Sequence, residues 1–153
     1  MYKDYYKISE YIILIEATEN AITTVKLVEK VDTIKRSDII EKFKLELDLY
    51  FKGKLKFFTV PYIFNYLEWR QKLYLYIKEI KYGTEVPIKS LLTKMGLKKW
   101  IRAISSATRD NNLIIIIPCH RVKSTIRKLN AHCYNNEFRN FLLKIEKEGN
   151  NYD

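Results

Sequence analysis

The sequence predicts a small α/β unit followed by a mainly α-helical one, and three observations carry that reading. Two β-branched runs, Tyr11–Ala17 and Ile22–Val28, flank the short polar stretch Thr18-Glu19-Asn20-Ala21, the pattern of an antiparallel hairpin. From residue 38 onward the apolar residues recur mostly at helical spacing. Late in the chain an apolar run, Leu113-Ile114-Ile115-Ile116-Ile117, ends at Pro118. That run is too short to cross a membrane and reads as a core strand or an extended buried segment, with Pro118 blocking its continuation.

Each element has a local cause. Ser37 is placed to cap a helix over Asp38–Phe51, whose apolar positions Ile39, Ile40, Phe43, Leu47, Tyr50 and Phe51 share a face, and Gly53 can end it. The stretch from Lys54 to Tyr66, with Pro61 among aromatic residues, reads as a connection. This divides the chain into an N-terminal α/β domain over 1–57, a linker over 58–66 and a C-terminal domain over 67–153. Trp69–Ile80 carries helical spacing at Leu73, Tyr76, Ile77 and Ile80 and is closed by Tyr82-Gly83. Pro87–Met95 then reads as a short helix, Gly96 as a turn and Lys98–Arg109 as a second helix. That arrangement fits a helix-turn-helix and equally a generic helix pair. A last apolar helix covers Glu137–Ile145.

Charge separates the two parts. Residues 1–60 carry 11 basic and 10 acidic side chains, whereas residues 61–153 carry 17 and 8, a net of +9. Such an excess suggests a polyanionic partner, most simply nucleic acid. Lys98, Lys99, Arg102 and Arg109 place cations on the predicted second helix, and Ala103, Ser105, Ser106 and Ala107 keep it slim enough to approach a groove. Met1-Tyr2-Lys3-Asp4 opens a polar, aromatic segment rather than a signal peptide, so a cytoplasmic chain with reduced thiols is expected. Neither histidine forms a ligand cluster with the two cysteines; no metal, cofactor or membrane partner is expected.

The chemistry-bearing residues are Pro118-Cys119-His120-Arg121-Val122. An ordinary thiol is only ~3% ionised at pH 7, and burial among isoleucines opposes ionisation further. A nucleophilic Cys119 therefore needs a base or a fixed positive environment. In an extended segment adjacent side chains point apart, so His120 reaches the thiol only through a turn, a bridging water or another partner. A carboxylate must set the imidazole tautomer, and Glu146 and Glu148 are the downstream candidates. The alternative is a buried, inert cysteine beside a hydrogen-bonded histidine.

The motif resembles the active-site signature of the O6-alkylguanine-DNA alkyltransferases. The resemblance runs in order through Tyr82-Gly83, Arg102-Ala103, Asn111, Pro118–Val122 and Leu142-Leu143-Lys144-Ile145-Glu146, and Leu47–Gly53 is similar to the end of that family's N-terminal helix. It implies an RNase H-like N-terminal domain and a winged helix-turn-helix-like C-terminal one. It also implies a monomer that flips O6-alkylguanine out of double-stranded DNA and takes the alkyl group irreversibly onto Cys119. In that scheme His120 is the base through a water, Glu146 orients it, Asn111 braces the turn and Arg102 fills the gap in the stack. Lys98, Lys99, Ala103, Ser105, Arg109 and Arg121 would contact DNA; Ile88, Val122, His132, Cys133 and Tyr134 would border the substrate. Three departures stand out. Ile88 occupies the place of a customary tyrosine, Ser105 that of a glycine, and the loop Asn130–Asn136 has no glycine. A protein that binds damage without reacting, on the same scaffold, is the alternative, and a thiol enzyme unrelated to DNA is a further one.

Overall fold

The computed structural model describes residues 1–64, 68–96, 106–123 and 136–150. Three antiparallel strands, β1 (Tyr2–Ile8), β2 (Tyr11–Ala17) and β3 (Ile22–Val28), lie in that order. Both runs of the expected hairpin are strands, with an irregularity at Glu16/Ala17. β1 is an addition to the sequence reading. Its Asp4-Tyr5-Tyr6 are consecutively buried, so it shows no alternation, and the burial of Asp4 is made tolerable by Lys44, 3.1 Å away.

The helix α1 (Asp38–Phe51) has the predicted bounds. Ser37 Oγ accepts from the Ile40 amide at 3.4 Å. At the other end the Gly53 and Lys54 amides donate to the Tyr50 and Leu49 carbonyls, a Schellman closure that needs the left-handed φ of +72° at Gly53. Ile40, Phe43, Leu47 and Tyr50 point into the core with Ile13 and Ile15 of the sheet.

The connection after α1 is fastened rather than loose. Glu46 accepts from the amides of Thr59 and Val60, and Ile22 exchanges bonds with Pro61 and Ile63 along β3. Then come α2 (Glu68–Lys78), α3 (Ile88–Met95) and α4 (Asn136–Gly149). A two-residue parallel pair, β4 (Val86–Pro87) and β5 (Val122–Lys123), joins the start of α3 to the chain beyond His120. Gly96, at φ +73°, turns the chain out of α3. Of the predicted second helix only residues 106–109 are described, and they are helical. No helix among the described residues is long and apolar enough to cross a membrane.

Candidate active site

The apolar run does not form the strand that its composition suggests. Leu113–Ile117 is buried but tightly folded. The Ile116 amide donates to the Ile114 carbonyl at 2.8 Å around Ile115, whose φ is +73°. This is a γ-turn of the rare, strained kind, occupied by a β-branched residue. A second, relaxed γ-turn follows at Pro118 (φ −78°, ψ 64°), across which the Cys119 amide donates to the Ile117 carbonyl at 2.7 Å. Cys119–Arg121 then forms one 3-10 turn. The turn that His120 needed is therefore present.

What holds this folded run is the N-terminal sheet. The Val25 amide donates to the Asn112 carbonyl at 2.7 Å, and the Ile114 amide donates to the Val25 carbonyl at 3.0 Å. Asn111 closes the run on itself: Nδ2 donates to the Ile117 carbonyl and Oδ1 accepts from the Leu113 amide, both at 2.9 Å. Asn111 is 1% exposed, so Asn111→Ala would strand a buried carbonyl and a buried amide. A loss of about 2 kcal/mol or more is expected in urea unfolding.

Cys119 and His120 are both fully buried. His120 Nε2 lies 2.5 Å from Glu146 Oε2, so Glu146 is the carboxylate that holds the histidine; Glu148, the other candidate, is exposed on the same helix. Burial alone would raise the Glu146 pKa, but His120 and Arg121 outweigh it and hold the carboxyl well below the usual carboxylate range. A glutamate that stays ionised only accepts hydrogen bonds. The proton of a neutral His120 then belongs on Nε2, which leaves Nδ1 as the basic nitrogen. Nδ1 is buried and has no hydrogen-bond partner among the described residues.

Arg121 is where the sequence reading needs correcting. Expected on the DNA surface, it is 6% exposed. Its Nε and Nη2 donate to Glu146 Oε1 and Oε2 at 2.8 and 3.0 Å, and Nη1 donates to the Ile80 carbonyl at 2.8 Å. A dry carboxylate draws in the guanidinium fork more strongly than solvent does. Ile88 and Val122 are in the core, the first opening α3 and the second pairing with Val86 in the adjoining two-stranded ladder. Arg109 is exposed, near Ser106 and Asp110. Lys98, Lys99, Arg102, Ala103, Ser105, His132, Cys133 and Tyr134 lie outside the described residues.

Two contributors were not anticipated as parts of the site. Tyr50 of α1 donates its hydroxyl to Glu146 Oε2 at 2.6 Å, and the Gly83 amide donates to Oε1 at 3.2 Å. A tyrosine on the core-facing stripe of a helix was the available signal, since a buried hydroxyl requires a partner.

A buried thiol next in sequence to a glutamate-held imidazole, set in a mixed α/β chain, fits the class of proteins that use a cysteine nucleophile. Comparison with known proteins narrows that class. Residues 68–148 match the DNA-binding domain of 6-O-methylguanine DNA methyltransferase. A methylated-DNA–protein-cysteine methyltransferase of Methanosarcina acetivorans is 30% identical over 113 residues, covering 74% of this chain and 72% of the relative. The fold is similar to that of the Mycobacterium tuberculosis O6-methylguanine methyltransferase (TM-score 0.85, 20% identity, 99% of each chain). It is also similar to that of M. tuberculosis OGT solved in complex with DNA (TM-score 0.78, 22% identity, 90% of this chain and 88% of that one). The chain belongs to the methylated-DNA–protein-cysteine methyltransferase family.

Proposed function

We propose that this protein repairs O6-alkylguanine in double-stranded DNA by moving the alkyl group onto its own Cys119, once per molecule. The observation that carries the reading is Cys119 beside a His120 whose Nε2 is committed to an ionised Glu146 while Nδ1 has no partner among the described residues. In the reaction the Cys119 thiol passes its proton to His120 Nδ1 through a water. The sulfur attacks the alkyl carbon, the bond from that carbon to guanine O6 breaks, and the purine takes up a proton as it leaves. A C–S thioether is not reversed by thiol–disulfide exchange, so turnover stops after one transfer.

The target atom cannot be reached inside a stacked duplex, which calls for base flipping. Arg102 fills the vacated space in the stack, and Lys98, Lys99, Ala103, Ser105 and Arg109 follow the DNA backbone. His132, Cys133 and Tyr134 border the flipped base, and Ile88 and Val122, buried in the core, support its pocket from within. The protein acts in the cytoplasm as a monomer, with an RNase H-like domain over 1–57, a linker over 58–66 and a winged helix-turn-helix-like domain over 67–153.

The deciding experiment is intact-protein mass after incubation with duplex DNA containing O6-methylguanine, followed by peptide mapping. One added methyl group on Cys119, with no further turnover, supports the reading. Tight lesion binding with no adduct overturns it in favour of a protein that binds damage without reacting. Arg102 is tested separately. Arg102→Ala should slow transfer from duplex DNA at least about tenfold, the scale of the unstacking energy it offsets, and leave reaction with the free alkylated base nearly unchanged. Equal slowing on both substrates would remove Arg102 from the flipping role.

A further inference from the structure

Glu146 is saturated with donors drawn from three separate stretches of chain. Oε2 faces the Tyr50 hydroxyl at 2.6 Å, His120 Nε2 at 2.5 Å and Arg121 Nη2 at 3.0 Å; Oε1 faces Arg121 Nε at 2.8 Å and the Gly83 amide at 3.2 Å. Tyr50 is the one of these donors that comes from the N-terminal half. It arrives from α1, 96 residues away in sequence, and shares its acceptor atom with the histidine. We infer that Tyr50 is a positioning residue of the reaction: its hydroxyl competes with His120 for Glu146 Oε2 and thereby sets how readily His120 takes the thiol proton.

The chemistry is direct. A carboxylate that receives several strong hydrogen bonds has its charge spread among them, and each added donor weakens its pull on the others. If Glu146 faced His120 alone, the whole of its charge would bear on the imidazole. Arg121 and Tyr50 temper that pull. Burial and the neighbouring Glu146 carboxylate push the Tyr50 hydroxyl well above its ordinary pKa, so it remains a donor throughout the working range. Among the described residues, Arg121 within the cluster and Tyr82 beside it are the further charged or titratable groups that bear on Tyr50. The Tyr82 ring lies under both the Arg121 guanidinium (5.5 Å) and Lys56 Nζ (5.7 Å). Packing also fixes where the hydroxyl points. The Tyr50 ring meets Phe51, Phe58 and Tyr82, none of which depends on the oxygen, so removing the hydroxyl leaves those contacts in place.

The rate consequence rests on the alkyl-transfer reading, whereas the proton consequence does not, and the test separates them. The variants are Tyr50→Phe and the full chain carrying 3-fluorotyrosine at position 50, a more acidic and stronger donor. The first measurement is the proton NMR shift of the His120 Nε2–H, simplified because the chain has two histidines. The second is the rate of methyl transfer to Cys119 from O6-methylguanine DNA. In Tyr50→Phe the Nε2–H resonance should move downfield, because Glu146 Oε2 loses a competing donor and draws harder on the imidazole. The transfer rate should change with it, and fluorotyrosine should move both the opposite way. An Nε2–H resonance unmoved in both variants, whatever happens to Tm or to the rate, would reduce Tyr50 to packing and overturn the inference. A wild-type chain that transfers no methyl group, but whose Nε2–H resonance responds in these directions, would overturn the functional reading and leave the role of Tyr50 standing.

Discussion

Cys119→Ala should abolish methyl transfer completely while binding to lesion-containing duplex persists. The thiol is the atom that forms the new bond, so no residual pathway runs through the rest of the site. The folded run that precedes it is held by Asn111 and by Val25, neither of which uses the sulfur. Alanine should therefore leave the turn in place and cost about 1 kcal/mol through the small void it creates. Band-shift titration with O6-methylguanine DNA, paired with the mass assay, reads both properties on one preparation. Residual transfer would move the nucleophile elsewhere, with Cys133 the first suspect.

Glu146→Gln should be the most destabilising single change in the site. Every group around the Glu146 carboxylate donates to it, so the glutamine amide would turn at least one N–H toward another donor. Arg121 would also lose its counter-charge while buried. Breaking a buried ion pair from one side typically costs about 3–5 kcal/mol, a large share of a small protein's stability. Acid titration identifies the cause. The Glu146 pKa in the folded protein lies below that of the unfolded chain, so the unfolded state binds the extra proton first. The contribution of Glu146 is fully present above the ordinary carboxylate range and drains away as pH falls below about 4.5. Urea midpoints followed downward from pH 7 should show that acid loss in the wild type and a shallower one in Glu146→Gln. Matching slopes would place the proton uptake on another carboxylate.

Much of this was legible in the residues. The Ser37 cap, the Gly53 stop and the periodicity between them defined α1 to the residue, because capping and turn chemistry act within a few positions. Cys119, His120 and Asn111 were visible because cysteine and histidine are scarce here and the motif is specific. What could not be read is what depends on distant partners. A run of isoleucines says strand by propensity; the two γ-turns exist because β3 and Asn111 supply hydrogen bonds from elsewhere. Arg121 reads as a surface cation until Glu146, 25 residues on, proves to be inside. Tyr50 reads as one more apolar helix position, and nothing near it in sequence discloses that its hydroxyl ends at the active site. β1 was hidden by Asp4, which only Lys44 makes compatible with burial.

The span from Tyr50 to Glu146 has a consequence for folding. Contacts between residues so far apart carry a larger loop-closure cost than local ones. Cys119 and His120 are neighbours from the moment they are joined, and Glu146 reaches His120 from the C-terminal half, but the Tyr50 hydroxyl joins Glu146 only once α1 and α4 have met. A molecule in which α1 has not docked thus carries a Glu146 short of one donor. Completion of the hydrogen bonds around Glu146 is thereby tied to the docking of α1, so an intact N-terminal half is part of a finished active site.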